Sequence, residues 1–156
     1  MKEFEITKID LATRSVTRER DLIAEEVPLQ IFLNERYYTT MLCSSGLERE
    51  MAVGHLLSEG ILRTVKEITE LRLADGRIDV NVRCEINLEK GTSVTQFITR
   101  LNLPKVSSDI KVNAEKIMAS IRRLDEAAVV FKKTGGVHVA ALFSSKGKFI
   151  VLAEDV

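Results

Sequence analysis

Ile68-Thr69-Glu70-Leu71-Arg72-Leu73-Ala74-Asp75-Gly76-Arg77-Ile78-Asp79-Val80-Asn81-Val82-Arg83-Cys84 decides the architecture of the N-terminal half. Two strand-like runs, Ile68–Ala74 and Arg77–Cys84, flank Asp75-Gly76, whose residues accept the positive φ of a two-residue hairpin turn. The second arm alternates strictly. Ile78, Val80, Val82 and Cys84 point one way, and Arg77, Asp79, Asn81 and Arg83 the other. Successive side chains on a strand face opposite sides, so this predicts a hairpin with one dry face and one wet face, Cys84 on the dry one.

Upstream, Val27–Leu33 and Tyr37–Cys43 form a second pair of strand-like runs around Asn34-Glu35-Arg36. Asn34 tolerates positive φ and Glu35 does so less comfortably, which leaves the turn type open. Between the two hairpins the pattern turns helical. Ser45-Gly46-Leu47-Glu48 fits a capping box, Ala52, Val53, Leu56 and Leu57 repeat at helical spacing, and Gly60 offers a left-handed stop.

Downstream the character changes. Ile117, Ile121 and Leu124 make an amphipathic stripe on a helix from about Asn113. Asp125 is positioned to cap a further short helix through Ala127, Val130 and Phe131, ending at Lys132-Lys133 and Gly135-Gly136. Val137–Phe143 and Lys148–Ala153 then read as strands joined by Ser144-Ser145-Lys146-Gly147. The second is apolar on both faces, which predicts a strand covered by helices on both sides. The expectation is an α/β (α+β) chain in two parts, with a boundary near Leu88 to Gly91. Residues 1–88 form a mainly antiparallel β subdomain with one helix, and 89–156 begin an α/β subdomain. A covered strand running into Glu154-Asp155-Val156 lacks its covering helix, so the chain reads as the N-terminal portion of a longer fold.

Lys plus Arg and Asp plus Glu balance at 23 each, so no net field recruits nucleic acid or an acidic membrane surface. Basic residues are not interleaved with aromatics, and apolar runs such as Ala127–Phe131 are far too short to cross a bilayer. The N-terminus alternates charged and apolar residues without a signal peptide's apolar stretch, which points to the cytoplasm. Cys43 and Cys84 are distant in sequence and form no C-x-x-C pair, so each reads as a small buried apolar residue. Walker and dinucleotide phosphate loops are absent, as are the ligands of a zinc deaminase and an elbow-type serine.

Thr134-Gly135-Gly136-Val137-His138 is the most unusual stretch. A Gly pair between a helix end and a strand frees backbone amides that could cradle an anion, with His138 donating a further hydrogen bond. A plain helix stop before a strand containing His is the competing interpretation. His138 would share a strand face with Ala140 and Leu142, leaving room beside the imidazole. Glu154 and Asp155 end the partner strand, and strand ends in α/β sheets are common ligand sites; two solvated acids would look the same. His55 lies inside the capped helix and reads as a packed or half-exposed helix residue.

Four segments, in order, resemble the FdhD family of formate dehydrogenase accessory proteins. Glu26 to Asn34 (EVPLQIFLN) resembles the family's E-x-P-L-x-I-x-x-N strand. Arg49 to Ile61 (REMAVGHLLSEGI) resembles its R-E-L-A-x-G-F-L-x-S-E-G-I helix. Thr134 to Leu142 (TGGVHVAAL) resembles its T-G-G-x-H-x-A-A-L strand entry, and Glu154-Asp155-Val156 the opening of E-D-V-G-R-H-N. The resemblance implies a cytidine-deaminase-like α/β core with an N-terminal β region, in a cytoplasmic homodimer. It further implies molybdenum cofactor biosynthesis: guanylated molybdopterin carried as cargo, with formate dehydrogenase and a cysteine desulfurase as partners. Carried over by position, Thr134, Gly135, Gly136, His138, Glu154 and Asp155 would bind the cofactor.

In the family a cysteine of C-G-x-C-G takes sulfur from the desulfurase as a persulfide, making the protein a sulfurtransferase. Here Ser107-Ser108-Asp109-Ile110-Lys111-Val112-Asn113 stands at that loop, with Asp109 and Val112 where the cysteines belong. Neither can carry a persulfide, so whether the chain is an enzyme stays open. Two readings follow: a relay moved to Cys43 or Cys84, or a non-catalytic cofactor carrier and docking module.

Overall fold

The computed structural model describes residues 1–83 and 107–156. They form an α+β chain of eight strands, three α-helices and a short 3-10 turn. Strands are β1 (Lys2–Asp10), β2 (Ser15–Ile23), β3 (Val27–Leu33), β4 (Arg36–Cys43), β5 (Ile68–Ala74), β6 (Arg77–Val82), β7 (His138–Phe143) and β8 (Phe149–Asp155). Helices are α1 (Glu48–Ser58), α2 (Ala114–Ala127) and α3 (Val129–Thr134). No described helix is long and apolar enough to cross a membrane.

The chain divides into two compact units, each assembled from separated segments. One comprises Met1–Val27, Leu42–Leu47 and Lys111–Val156; the other comprises Pro28–Met41 and Glu48–Ile110. A cut between residues 88 and 89 lies outside the described residues. The observed units are interleaved along the sequence, with the N-terminal segment Met1–Val27 grouped with the C-terminal helices and hairpin.

The second unit is built on a mixed four-stranded sheet of order β4-β3-β6-β5. Both expected hairpins form. Asn34 and Glu35 take φ of 45° and 65°, and Asp75 and Gly76 take 49° and 73°, so both turns use two left-handed residues, as a type I′ turn requires. The pairings are mainly antiparallel, as expected, except at the centre, where β3 pairs with β6 in parallel, Ile31 beside Ile78 and Leu33 beside Val80. Alternation within a hairpin specifies which side chains are dry but not which edges of two hairpins meet. Burying Leu29, Ile31, Leu33, Ile78, Val80 and Val82 together selects this arrangement. Each such side chain contributes roughly 1.5–3 kcal/mol of burial.

Helix α1 packs on β5 and β6 through its buried Ala52 and Leu56. The predicted capping box does not form: Gly46 sits at φ 117°, outside helical geometry, and the helix starts at Glu48. The Gly60 stop does form. Gly60 is left-handed at φ 71°, and its amide and that of Ile61 donate back to the carbonyls of Leu57 and Leu56. That pair of bonds is a Schellman motif.

The first unit contains a hairpin absent from the sequence reading, β1–β2, with nine-residue strands in antiparallel register from Lys2 beside Ile23 to Asp10 beside Ser15. Nearly all of its side chains are exposed, so its pattern is charge alternation (Arg20 to Glu3, Lys8 to Glu19) with little apolar signal. Helix α2 begins where expected, the Asn113 side chain accepting the Lys116 amide at 3.0 Å. Its Ile117 and Ile121 remain exposed.

Strands β7 and β8 pair antiparallel, and α2 packs against both. The strand read as needing cover on both faces has it on one face among the described residues. Leu142 and Val151, opposite one another in register, are 60% and 55% exposed. Among the described residues, helices cover the other face.

Candidate functional site

Helix α3 is six residues long, too short to hold itself together without tertiary support. Asp125 was expected to cap it, but Asp125 lies inside α2, and the residue at the helix start is Ala128, which makes no side-chain cap bond. Strand β8 supplies the cap instead. Glu154 Oε2 accepts the Val130 amide at 3.0 Å, and Oε1 accepts the Phe131 amide at 2.8 Å. A carboxylate on the first free amides of a helix answers both their unmet donors and the positive end of the helix dipole.

At its other end α3 stops on Gly135, left-handed at φ 62°, whose amide donates to the Phe131 carbonyl at 2.7 Å. The Thr134 hydroxyl donates to the Val130 carbonyl at 2.9 Å and accepts the Gly136 amide at 3.1 Å. Gly136 lies against Ala24, where an added Cβ would meet the alanine methyl at 3.5 Å. The anticipated amide cradle is therefore corrected: in this conformation the Gly135 and Gly136 amides are both taken by partners in the same turn. Thr134 bridges helix end and strand entry and offers no free hydroxyl proton.

Val137 is buried, and the next residue, His138, is exposed. Alternation along β7 puts His138, Ala140 and Leu142 on the exposed side and Val139, Ala141 and Phe143 on the covered one. In register His138 stands beside Asp155, and Ala140 beside Ala153. Two alanines next to the imidazole leave the open, shallow surface expected from the sequence. Asp155 Oδ1 accepts the Ser44 amide at 2.6 Å, so this acid is a structural fastener at least in part. The carboxylate clamp of Glu154 on α3 borders a hollow lined by Met1, Ala24, Glu25, Ser44, Ser45, Val130 and Glu154, and none of Thr134 to His138 lines it. Of the predicted site residues, then, one presents unengaged functional chemistry to the surface: His138. Thr134, Gly135, Gly136 and Glu154 hold α3 and its turn, and Asp155 holds Ser44.

Cys43 is 1% exposed and directs Sγ at the Val27 carbonyl, 3.7 Å away, as expected of a small buried residue. Cys84 lies outside the described residues. Asp109 and Val112 lie in an irregular, exposed stretch before α2. His55 is half-buried on α1, its ring 5.9 Å from that of Tyr38, in keeping with a packed helix residue. Among the described residues no group of three or more His, Cys, Asp or Glu is arranged to hold a metal.

A family model for the FdhD/NarQ family matches residues 24–156. The chain belongs to the FdhD/NarQ family. Relatives include the sulfur carrier protein FdhD of Sulfolobus acidocaldarius, 30% identical and covering 100% of this chain. That of Halalkalibacterium halodurans is 30% identical over 86% of the chain. The chain spans 64% of the first relative's length and 56% of the second's. The fold matches the crystal structure of a candidate formate dehydrogenase accessory protein from Desulfotalea psychrophila with a TM-score of 0.79 at 21% identity, covering 99% of this chain and 61% of that one. In the FdhD/NarQ setting, the β7–β8 pairing joins two of the segments that carried the resemblance, Thr134–Leu142 and Glu154–Val156, with His138 beside Asp155 and Val139 beside Glu154. Sequence reading assigned the cap of α3 to Asp125; that Glu154 serves instead depends on the meeting of β8 with the helix start.

Proposed function

We propose that this chain is a maturation accessory of formate dehydrogenase that binds guanylated molybdenum cofactor as cargo and presents it from the open face around His138. Family membership supports the accessory role, since its relatives carry the name sulfur carrier protein FdhD. The observation that carries the carrier reading is the state of the thiols. Asp109 and Val112 stand at the exposed loop where the family resemblance expects cysteines, and Cys43 is sealed in the protein. Sulfur relay needs an exposed thiolate to attack the outer sulfur of a desulfurase persulfide, forming a new persulfide and releasing the desulfurase thiolate. Cys43 is buried and does not present its thiol to a partner. The proposal includes a cytidine-deaminase-like core, a homodimer in the cytoplasm, and docking to formate dehydrogenase.

A second reading keeps sulfur transfer by moving the relay to Cys84, and the name shared by the relatives favours it. Persulfide trapping separates the two. The protein is incubated with a cysteine desulfurase and free cysteine, alkylated, and mapped by mass spectrometry. The carrier reading expects no sulfane sulfur on Cys43 or Cys84 and retention of a guanylated pterin. Transferable sulfur on Cys84 would replace it with the sulfurtransferase reading.

A further inference from the structure

We propose that Glu154 is a positioning residue, whose carboxylate sets the Thr134–Gly135–Gly136 turn and through it the placement of His138. The inference rests on the reading that this face presents the cofactor. Its basis is a closed set of hydrogen bonds with no slack between the carboxylate and the turn. Val130 and Phe131 each donate their amide to Glu154, at 3.0 and 2.8 Å. The carbonyls of the same two residues receive the Thr134 hydroxyl at 2.9 Å and the Gly135 amide at 2.7 Å. The Gly136 amide closes on Thr134.

An ordinary cap steadies the start of a long helix and leaves its far end to the intervening turns. Here α3 is six residues, so the residues that contact Glu154 are also the ones that hold the turn. The strand register completes the unit. Glu154 pairs with Val139, and Asp155 pairs with His138. Adjacent strand residues face opposite ways, so the step that points Glu154 at α3 also fixes the backbone opposite the imidazole. Shortening Glu154 would release both amides and neutralising it one of them, loosening Thr134 and Gly135 together and shifting His138 without removing any group that touches cargo.

Hydrogen exchange and chemical shifts of the full chain, by NMR, test this in Glu154→Ala and Glu154→Gln. Guanosine diphosphate serves as the nucleotide probe. In Glu154→Ala the Val130 and Phe131 amides should exchange about tenfold faster, and the Gly135, Gly136 and His138 resonances should move while the β7–β8 cross-strand contacts persist. Nucleotide affinity should fall about tenfold, and Glu154→Gln, which keeps one carbonyl acceptor, should recover part of both effects. If Glu154→Ala does not fold, the Glu154→Gln shifts decide alone. Unmoved Gly135, Gly136 and His138 resonances in a folded variant would overturn the proposal. A wild-type protein that ignores the nucleotide would instead remove the cofactor reading, and the resonances would still decide the clamp.

Discussion

Asp155 Oδ1 accepts the backbone amide of Ser44 at 2.6 Å, joining residues 111 positions apart. The bond fastens the end of β8 to the segment Leu42–Leu47, which belongs to the same compact unit. Asp155→Ala leaves a part-buried amide without its acceptor and should cost about 1–3 kcal/mol. Asp155→Asn retains a neutral acceptor and should cost less than half of that. Urea denaturation of the two variants against wild type checks the order; equal stability of all three would mean that the bond contributes nothing.

The His138 imidazole is the exposed functional group left unengaged at the turn, beside two alanines. His138→Ala should weaken guanosine diphosphate binding by about tenfold, the equivalent of one hydrogen bond to a charged group, with the melting temperature unchanged. Isothermal calorimetry beside a thermal melt reads both. Unchanged affinity in the variant takes the imidazole out of the site.

Cys43 is buried with its thiol against a carbonyl. Iodoacetamide should therefore leave it unmodified in the native protein and label it fully in denaturant. Mass spectrometry of the two reactions is the check, and prompt native labelling would reopen Cys43 as a sulfur acceptor.

Asn34 does two things at the β3–β4 turn: it takes a left-handed φ of 45° and its Oδ1 accepts the Val82 amide at 2.8 Å. Asn34→Gly keeps the backbone and orphans the amide, whereas Asn34→Ala adds backbone strain. The expected losses are about 1–3 kcal/mol for glycine and roughly 1 kcal/mol more for alanine. Gly76→Ala meets both a left-handed φ of 73° and the Pro28 carbonyl oxygen 3.1 Å from the new Cβ. It should be worse than Gly60→Ala, which meets strain at φ 71° with open space around it. Denaturation midpoints of the four variants test the ranking.

Acid sensitivity should localise to the wet face of the four-stranded sheet. Arg77 donates two bonds to Asp79, and Arg72 two to Glu70, and these bonds hold both carboxyls below their ordinary range. A carboxyl depressed in the folded state contributes stability above its unfolded pKa, about 4, and that contribution disappears as pH falls through the folded value. Asp79→Asn and Glu70→Gln should thus narrow the gap in stability between about pH 5 and pH 2, and added salt should do the same, because both groups face solvent. Stability measured across that range at low and high salt is the test. Parallel pH curves for variants and wild type would remove these pairs as the source.

Legibility in the sequence followed the kind of signal involved. Asp75-Gly76 and Asn34-Glu35 marked turns that do form, because positive φ at adjacent residues is a local demand. The Gly60 and Gly135 stops were legible for the same reason. The β1–β2 hairpin was missed because its faces are both wet, so apolar alternation hardly marks it. Ser45-Gly46-Leu47-Glu48 misled because a capping pattern states what a helix start could use, while the chain turns through Gly46 before α1 begins.

At the candidate site, the sequence by itself determined which residue types stand in which order: the Gly pair after a short helix, His138 on a face with Ala140 and Leu142, and an acidic pair ending the partner strand. It also determined that Asp109 and Val112 carry no thiol. Tertiary structure alone decided what those groups do. It assigned Glu154 to two amides of α3, Asp155 to Ser44, and the Gly135 and Gly136 amides to their own turn. The physical reason is that a backbone amide has one proton to give, and only the spatial meeting of distant segments settles which acceptor receives it.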